Sequence, residues 1–176
     1  MSALREAIEH ATLGWIKPEL DAALKQVQTD IEAYAETPSD IGAMRSAADQ
    51  LRQIEGTLRM LELYAPAMVS EEMQHLAVSV AEAQLPGREH EACDALLRAT
   101  VQLPDYLERL QGGHREIPIV LLPLLNDLRA LRNEQPLGEA VLFTPDFSRP
   151  LPDDVPQVDA LVAATTLSGA PAMLTA

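Results

Sequence analysis

From Met44 to Ala65 the apolar residues Met44, Ala47, Leu51, Ile54, Leu58, Leu61 and Ala65 recur at alternating steps of three and four. That spacing keeps one line of a helix apolar for about six turns, whereas a strand would send successive residues to opposite faces. A stripe of this length has to be covered by other helices. The rest of the chain agrees, since its apolar content of 47% is drawn from Leu, Ala, Met and Val with only 3% aromatics, a mixture that favours helices over sheets. The expected fold is all-α.

Four further segments carry helical spacing. Pro18 fits the first turn of a helix, with Leu20, Leu24, Val27, Ile31 and Tyr34 following and Pro38 beyond the end. Ser39 or Asp40 can cap the second helix, which Pro66 should close. Ser70 should open a third, with Met73, Leu76, Ala77, Val80 and Ala83 on one side up to Pro86-Gly87. The fourth runs from about Glu89 to Leu110 with Ala92, Leu96, Leu97, Val101, Tyr106 and Leu110 inward and a kink at Pro104. The fifth, about Pro118 to Arg132, is apolar almost all round through Leu125 and should be the centre of the packing. The chain therefore divides into an antiparallel bundle of about five helices over residues 1–135, an extended segment over 136–152 laid on it, and a flexible linker over 153–176 leading to further domains.

Charge and cysteine usage narrow the function. A net charge of −14 repels phosphate backbones and anionic lipid, so neither nucleic-acid binding nor membrane insertion is expected. The longest apolar run, Ile117 to Leu125, is broken by Pro118 and Pro123 and is too short to span a bilayer. Met1 to His10 lacks the basic-then-apolar pattern of a signal peptide, and Cys93 is the single cysteine, so a reducing, cytoplasmic setting is expected.

Chemistry concentrates on the second helix. Arg45, Arg52 and Arg59 stand seven residues apart, so an ideal helix holds them within about 20° of one line per step. Guanidinium groups match carboxylates, which makes the stripe a candidate protein-docking face; the alternative is a solvated face in which Asp49, Glu55 and Glu62 pair with the arginines at spacings of three or four. Gly56 in mid-helix costs about 1 kcal/mol relative to alanine, which close approach of a neighbouring backbone or a partner would offset. Trp15, the only tryptophan, is expected in a staple-like core contact, with a partner anchor as the alternative.

The run Arg52-Gln53-Ile54-Glu55-Gly56-Thr57 resembles the His-x-x-Lys-Gly-Ser/Thr motif of histidine phosphotransfer domains, with Arg52 at the phosphoacceptor position and Glu55 in place of the lysine. An arginine cannot carry the phosphoryl group. The run Ile54 to Tyr64, then Glu71-Glu72-Met73-Gln74-His75-Leu76, Leu103-Pro104-Asp105-Tyr106-Leu107-Glu108-Arg109, Ile117 to Arg129 and Leu142-Phe143-Thr144-Pro145-Asp146, resembles the N-terminal, FimL-like region of the chemotaxis-type ChpA/PilL hybrid histidine kinases of the type IV pilus system, over about residues 13–150. The resemblance implies a degenerate phosphotransfer-like bundle that docks or localises partners in twitching motility, such as receiver domains or a polar pilus scaffold protein, at the cell pole.

Rival chemistries have little to stand on. His10, His75, His90 and His114 all lack the lysine-glycine pattern. Glu72-x-x-His75 is one half of a di-iron carboxylate motif with no second copy, Glu6 and His10 have no partner motif, and Gly112-Gly113 lacks the Lys-Ser/Thr of a phosphate loop. No catalytic residue, metal or cofactor is expected. Two other readings stand beside the docking module: an active phosphotransfer domain using a non-standard histidine, and a structural dimerisation bundle.

Overall fold

The computed structural model describes residues 2–114 and 117–142, with side chains followed continuously from residue 11 apart from the 115–116 gap. Among these residues there are five α-helices: α1 (Ser2–Glu36), α2 (Ile41–Met60), α3 (Tyr64–Ala81), α4 (Glu89–Gln111) and α5 (Leu122–Leu131), with 3-10 turns at Pro118–Leu121 and Glu139–Leu142. Among the described residues there is no strand, and the fold is an all-α bundle.

Helices α1 to α4 close a ring in which α1 packs on α2 and α4, and α3 packs on the same two; α5 lies across α3 and α4. The sequence stripes supply the interior. Leu20, Leu24, Val27 and Ile31 of α1 meet Met44, Ala47, Leu51, Ile54 and Leu58 of α2, and Leu96, Ala99, Leu103 and Leu107 of α4 complete the core. A hydrogen bond from Gln50 Nε2 to Asp30 Oδ2, 3.0 Å, sets the antiparallel register of α1 and α2. At the α2–α3 crossing the buried Ser70 hydroxyl donates to the Leu51 carbonyl at 2.9 Å, a contact that only a small side chain leaves room for.

Several expectations need correction. Pro18 lies inside α1 and does not start it, because Leu13, seven residues before Leu20, is buried and carries the core stripe through the proline while the ring faces solvent. Trp15 makes no core contact and is 86% exposed, on the side of α1 opposite Leu13. Pro66 opens α3 and does not close α2. It is the third residue of α3, where a missing amide hydrogen breaks no helical bond, and α2 ends at Met60 in a turn with Glu62 at φ 59°. Ser70 consequently lies in the interior of α3. Helix α4 includes Pro104, and Val101, expected inward, is 55% exposed.

The centre of the packing is α3, with 13 of its 18 residues buried, and not the fifth segment. Pro118 and Pro123 split that segment into a 3-10 turn and a ten-residue helix, leaving Ile117, Ile119 and Val120 on the surface. The segment after Pro136 continues into the core through Leu142, which is buried, and Leu137, whose amide and carbonyl bond the Asn126 side chain at 2.7 and 3.1 Å. The compact unit ends at Phe143; Thr144–Ala176, and with it most of the extended segment and all of the linker expected from sequence, lies outside the described residues.

Candidate docking face on the second helix

Asp40 starts α2 by accepting from the Ala43 amide at 3.2 Å, and the buried line Met44, Ala47, Leu51, Ile54, Leu58 turns the opposite face to solvent. Arg45, Arg52 and Arg59 are all exposed there, with Asp49, Gln53, Gly56 and Met60 between and beside them. The three arginines differ in what holds them. Arg59 is clamped by Glu55 through Nε and by Glu71 of α3 at 3.0 Å through Nη2, and the hydrogen bond it donates to Glu55 raises its already high pKa further. Arg45 and Arg52 enter no ion pair among the described residues.

The pairing expected for a solvated face is thus found at Arg59 with Glu55. Gly56 is exposed, and a Cβ there would meet nothing within 4 Å, so no neighbouring backbone of this chain accounts for the glycine. The Thr57 hydroxyl, half-buried, donates back to the Gln53 carbonyl at 3.0 Å and is occupied within its own turn. Met60 is 87% exposed at the end of this face, while Trp15 belongs to α1.

Glu72 and His75 do not act together. His75 is exposed, whereas Glu72 is buried against α5, where Arg129 Nη1 donates to Oε1 and Arg132 Nη2 to Oε2 at 2.8 Å. Arg129 Nε also donates to the Gln135 carbonyl at 2.8 Å. This network joins α3 to α5 and was not visible in sequence, because 57 and 60 residues separate its partners. Among the described residues no group of three or more His, Cys, Asp or Glu side chains could hold a metal ion. Cys93 is buried, and burial, with Asp94 and Glu89 adding to it, pushes its thiol pKa up, which keeps it protonated and unreactive.

Away from this face a concavity of about 940 Å³ runs between α4 and α5. Leu97, Val101 and Leu131 line it, with Arg98 and Asp127 facing each other across it at 3.7 Å. Sequence reading assigned Val101 to the core because it falls in register with Leu97; it lines this open concavity instead and is exposed.

Residues 10–122 match the family model described as the FimL C-terminal domain. The chain is also 28% identical over 141 residues to the scaffold protein FimL of Pseudomonas aeruginosa, a match that covers 80% of this chain and 25% of that protein. The chain thus spans about a quarter of the length of this curated relative. No solved structure matches it.

Proposed function

The chain belongs to the FimL C-terminal domain family, and from that premise we propose that it is a non-catalytic docking module holding a protein partner on the exposed face of α2. The matched relative is a scaffold protein, and a scaffold holds partners without transforming a substrate. One observation carries the choice of face: Arg45 and Arg52 are exposed cations without an ion pair among the described residues, on one line of α2, in a chain of net charge −14. Carboxylates are plentiful on this surface, yet these two guanidinium groups are left for an acidic surface from outside.

Arg52 stands at the phosphoacceptor position of a phosphotransfer helix, so the partner class is a receiver-type domain whose acidic pocket meets a guanidinium group in place of an imidazole. Gly56, one turn on, keeps the face low enough for close approach. Glu55 and Arg59, tied to each other and to Glu71, form its rim. The parent is proposed to be a chemotaxis-type kinase or scaffold of the type IV pilus system, acting in twitching motility from the cytoplasm at the cell pole.

The test is a pull-down from cells at matched salt with the parent chain and with Arg45→Glu/Arg52→Glu. Exposed groups contribute about 0 to 1 kcal/mol to folding, so the helical spectrum should stay intact while the partner is lost. Retention of every partner by the double variant overturns the choice of face. Incubation with a phosphorylated receiver should leave no phosphohistidine, and stoichiometric labelling at His10, His75, His90 or His114 overturns the non-catalytic reading.

A further inference from the structure

The concavity between α4 and α5 is a trough with an apolar floor and charged walls. Leu97 and Val101 enter it from α4, one turn apart, and Ala130 and Leu131 from the end of α5. Val101 and Ala130 are both exposed there, so apolar surface on each wall faces solvent. Along α4 the lining runs from the N-cap Arg88 to Gln102, about 21 Å or roughly four helical turns. Pockets for small molecules have about 300–1,000 Å³ and close over most of the ligand. This one has the volume without the closure, which suits a long ligand laid along it.

The charges on the walls are matched except for one. Arg88 donates to the Leu131 carbonyl at 3.2 Å and to Glu91 at 3.4 Å, which pins the end of α5 to the start of α4, and Arg98 faces Asp127 at 3.7 Å. Asp94 is left over. It is 63% exposed, stands one turn before Leu97 on the same line of α4, and among the described residues its ion-pair neighbour is the exposed His90 at 3.6 Å. We infer that the trough is a further docking surface whose occupant is an amphipathic, cationic α-helix of a partner protein, with its apolar stripe on Leu97, Val101 and Ala130 and a basic residue over Asp94. Charge selects that occupant. Two arginines against Glu91, Asp94 and Asp127 leave the lining at −1, in a chain of net charge −14, so a basic helix is drawn in and a second copy is repelled. The α2 face has the opposite chemistry, since its unpaired groups are cations, and α2 and α4 are diagonal in the ring of four helices. Two partners of opposite charge can then be held at once, a consequence that rests on the docking reading; the trough itself does not.

The probe is a fluorescein-labelled helical peptide of about four turns with leucine on one face and lysine on the other, titrated by anisotropy with the full chain at about 0.15 M salt. It should bind with a Kd of about 10 to 100 μM, and a peptide of the same composition in permuted order, which has no apolar face, should bind at least about tenfold more weakly. Val101→Asp on one wall and Ala130→Glu on the other replace exposed side chains, so both variants should keep the parent's helical spectrum. Each adds negative charge to the trough. Plain attraction between a basic peptide and an acidic protein would therefore leave their affinity equal or higher, whereas seating on the apolar floor requires both to lose at least about fivefold. Absence of saturation below about 1 mM peptide overturns the inference, as does equal binding of the permuted peptide or full affinity in either variant. A parent dimer in light scattering that Val101→Asp dissolves assigns the trough to a second copy and overturns it as well.

Discussion

Arg52 and Glu55 change the chemistry of α2 together. On the proposed phosphotransfer-like reading an imidazole at position 52 would take the phosphoacceptor's place, but Glu55 three residues on is an anion fixed to Arg59, where the phosphotransfer motif has a cation. Arg52→His alone is therefore expected to accept no more than trace label from a phosphorylated receiver, as an acid-labile phosphohistidine assay would show. Glu72 is the residue on which α5 depends most. Its carboxylate takes one guanidinium on each oxygen, and all three side chains are largely buried, between 9% and 17% exposed. Glu72→Ala leaves Arg132 without its counter-charge and Arg129 with only the more distant Glu134, at 3.9 Å, and Arg132 Nε already has no partner, so a loss of about 3 kcal/mol is expected in urea unfolding. Changing Glu72, Arg129 and Arg132 together to apolar residues of similar volume should recover most of that loss.

Helix ends carry the next layer. After α2, α3, α4 and α5 the chain closes with the same bonds, Leu63 to Leu58, Gln84 to Ser79, His114 to Arg109 and Glu134 to Arg129, each amide reaching five residues back to a carbonyl. That closure needs one residue in the left-handed region, and the four are Glu62, Ala83, Gly113 and Asn133. Only one is glycine. Ala83 at φ 53° bears the steric conflict of its Cβ with no polar side chain to compensate, so Ala83→Gly is expected to stabilise the protein by about 0.5 to 1 kcal/mol, read as a higher urea midpoint with unchanged slope. The helices themselves were legible in the sequence because apolar spacing at three and four follows directly from helical geometry. Their ends were less so. Proline was read as a boundary at Pro18 and Pro66, yet an exposed ring in mid-helix and a ring in the first turn are both tolerated, and the real boundary after α2 is a left-handed glutamate that no propensity marks. On the candidate face the arginine stripe was legible as a line; which arginine Glu55 and Glu71 would claim was not, because Glu71 comes from another helix.

At the scale of the molecule, the fifth segment misled because composition cannot rank burial: α3, with Ser70, Glu72, Gln74 and Ser79 buried among its apolar residues, is the element enclosed by α2, α4 and α5. Its polar residues have partners only in the assembled bundle, as Ser70 and Glu72 show. The closed ring of α1 to α4 also fixes an order of events. Three of its four seams join helices adjacent in the chain, α1 with α2, α2 with α3 and α3 with α4, and only the seam between α1 and α4 closes a long loop. Loop closure is slow and local contact is fast, so the α2–α3 hairpin should form in the folding transition state and the α1–α4 seam after it. Leu51→Ala, beside the Ser70 bond at α2–α3, should slow refolding, whereas Leu24→Ala, against Thr100 and Pro104 at α1–α4, should leave the refolding rate nearly unchanged and speed unfolding. Stopped-flow chevrons of the two variants separate these limbs. A bundle built this way is held shut by its last seam, and its lifetime in the cell is set there, by α1 letting go of α4.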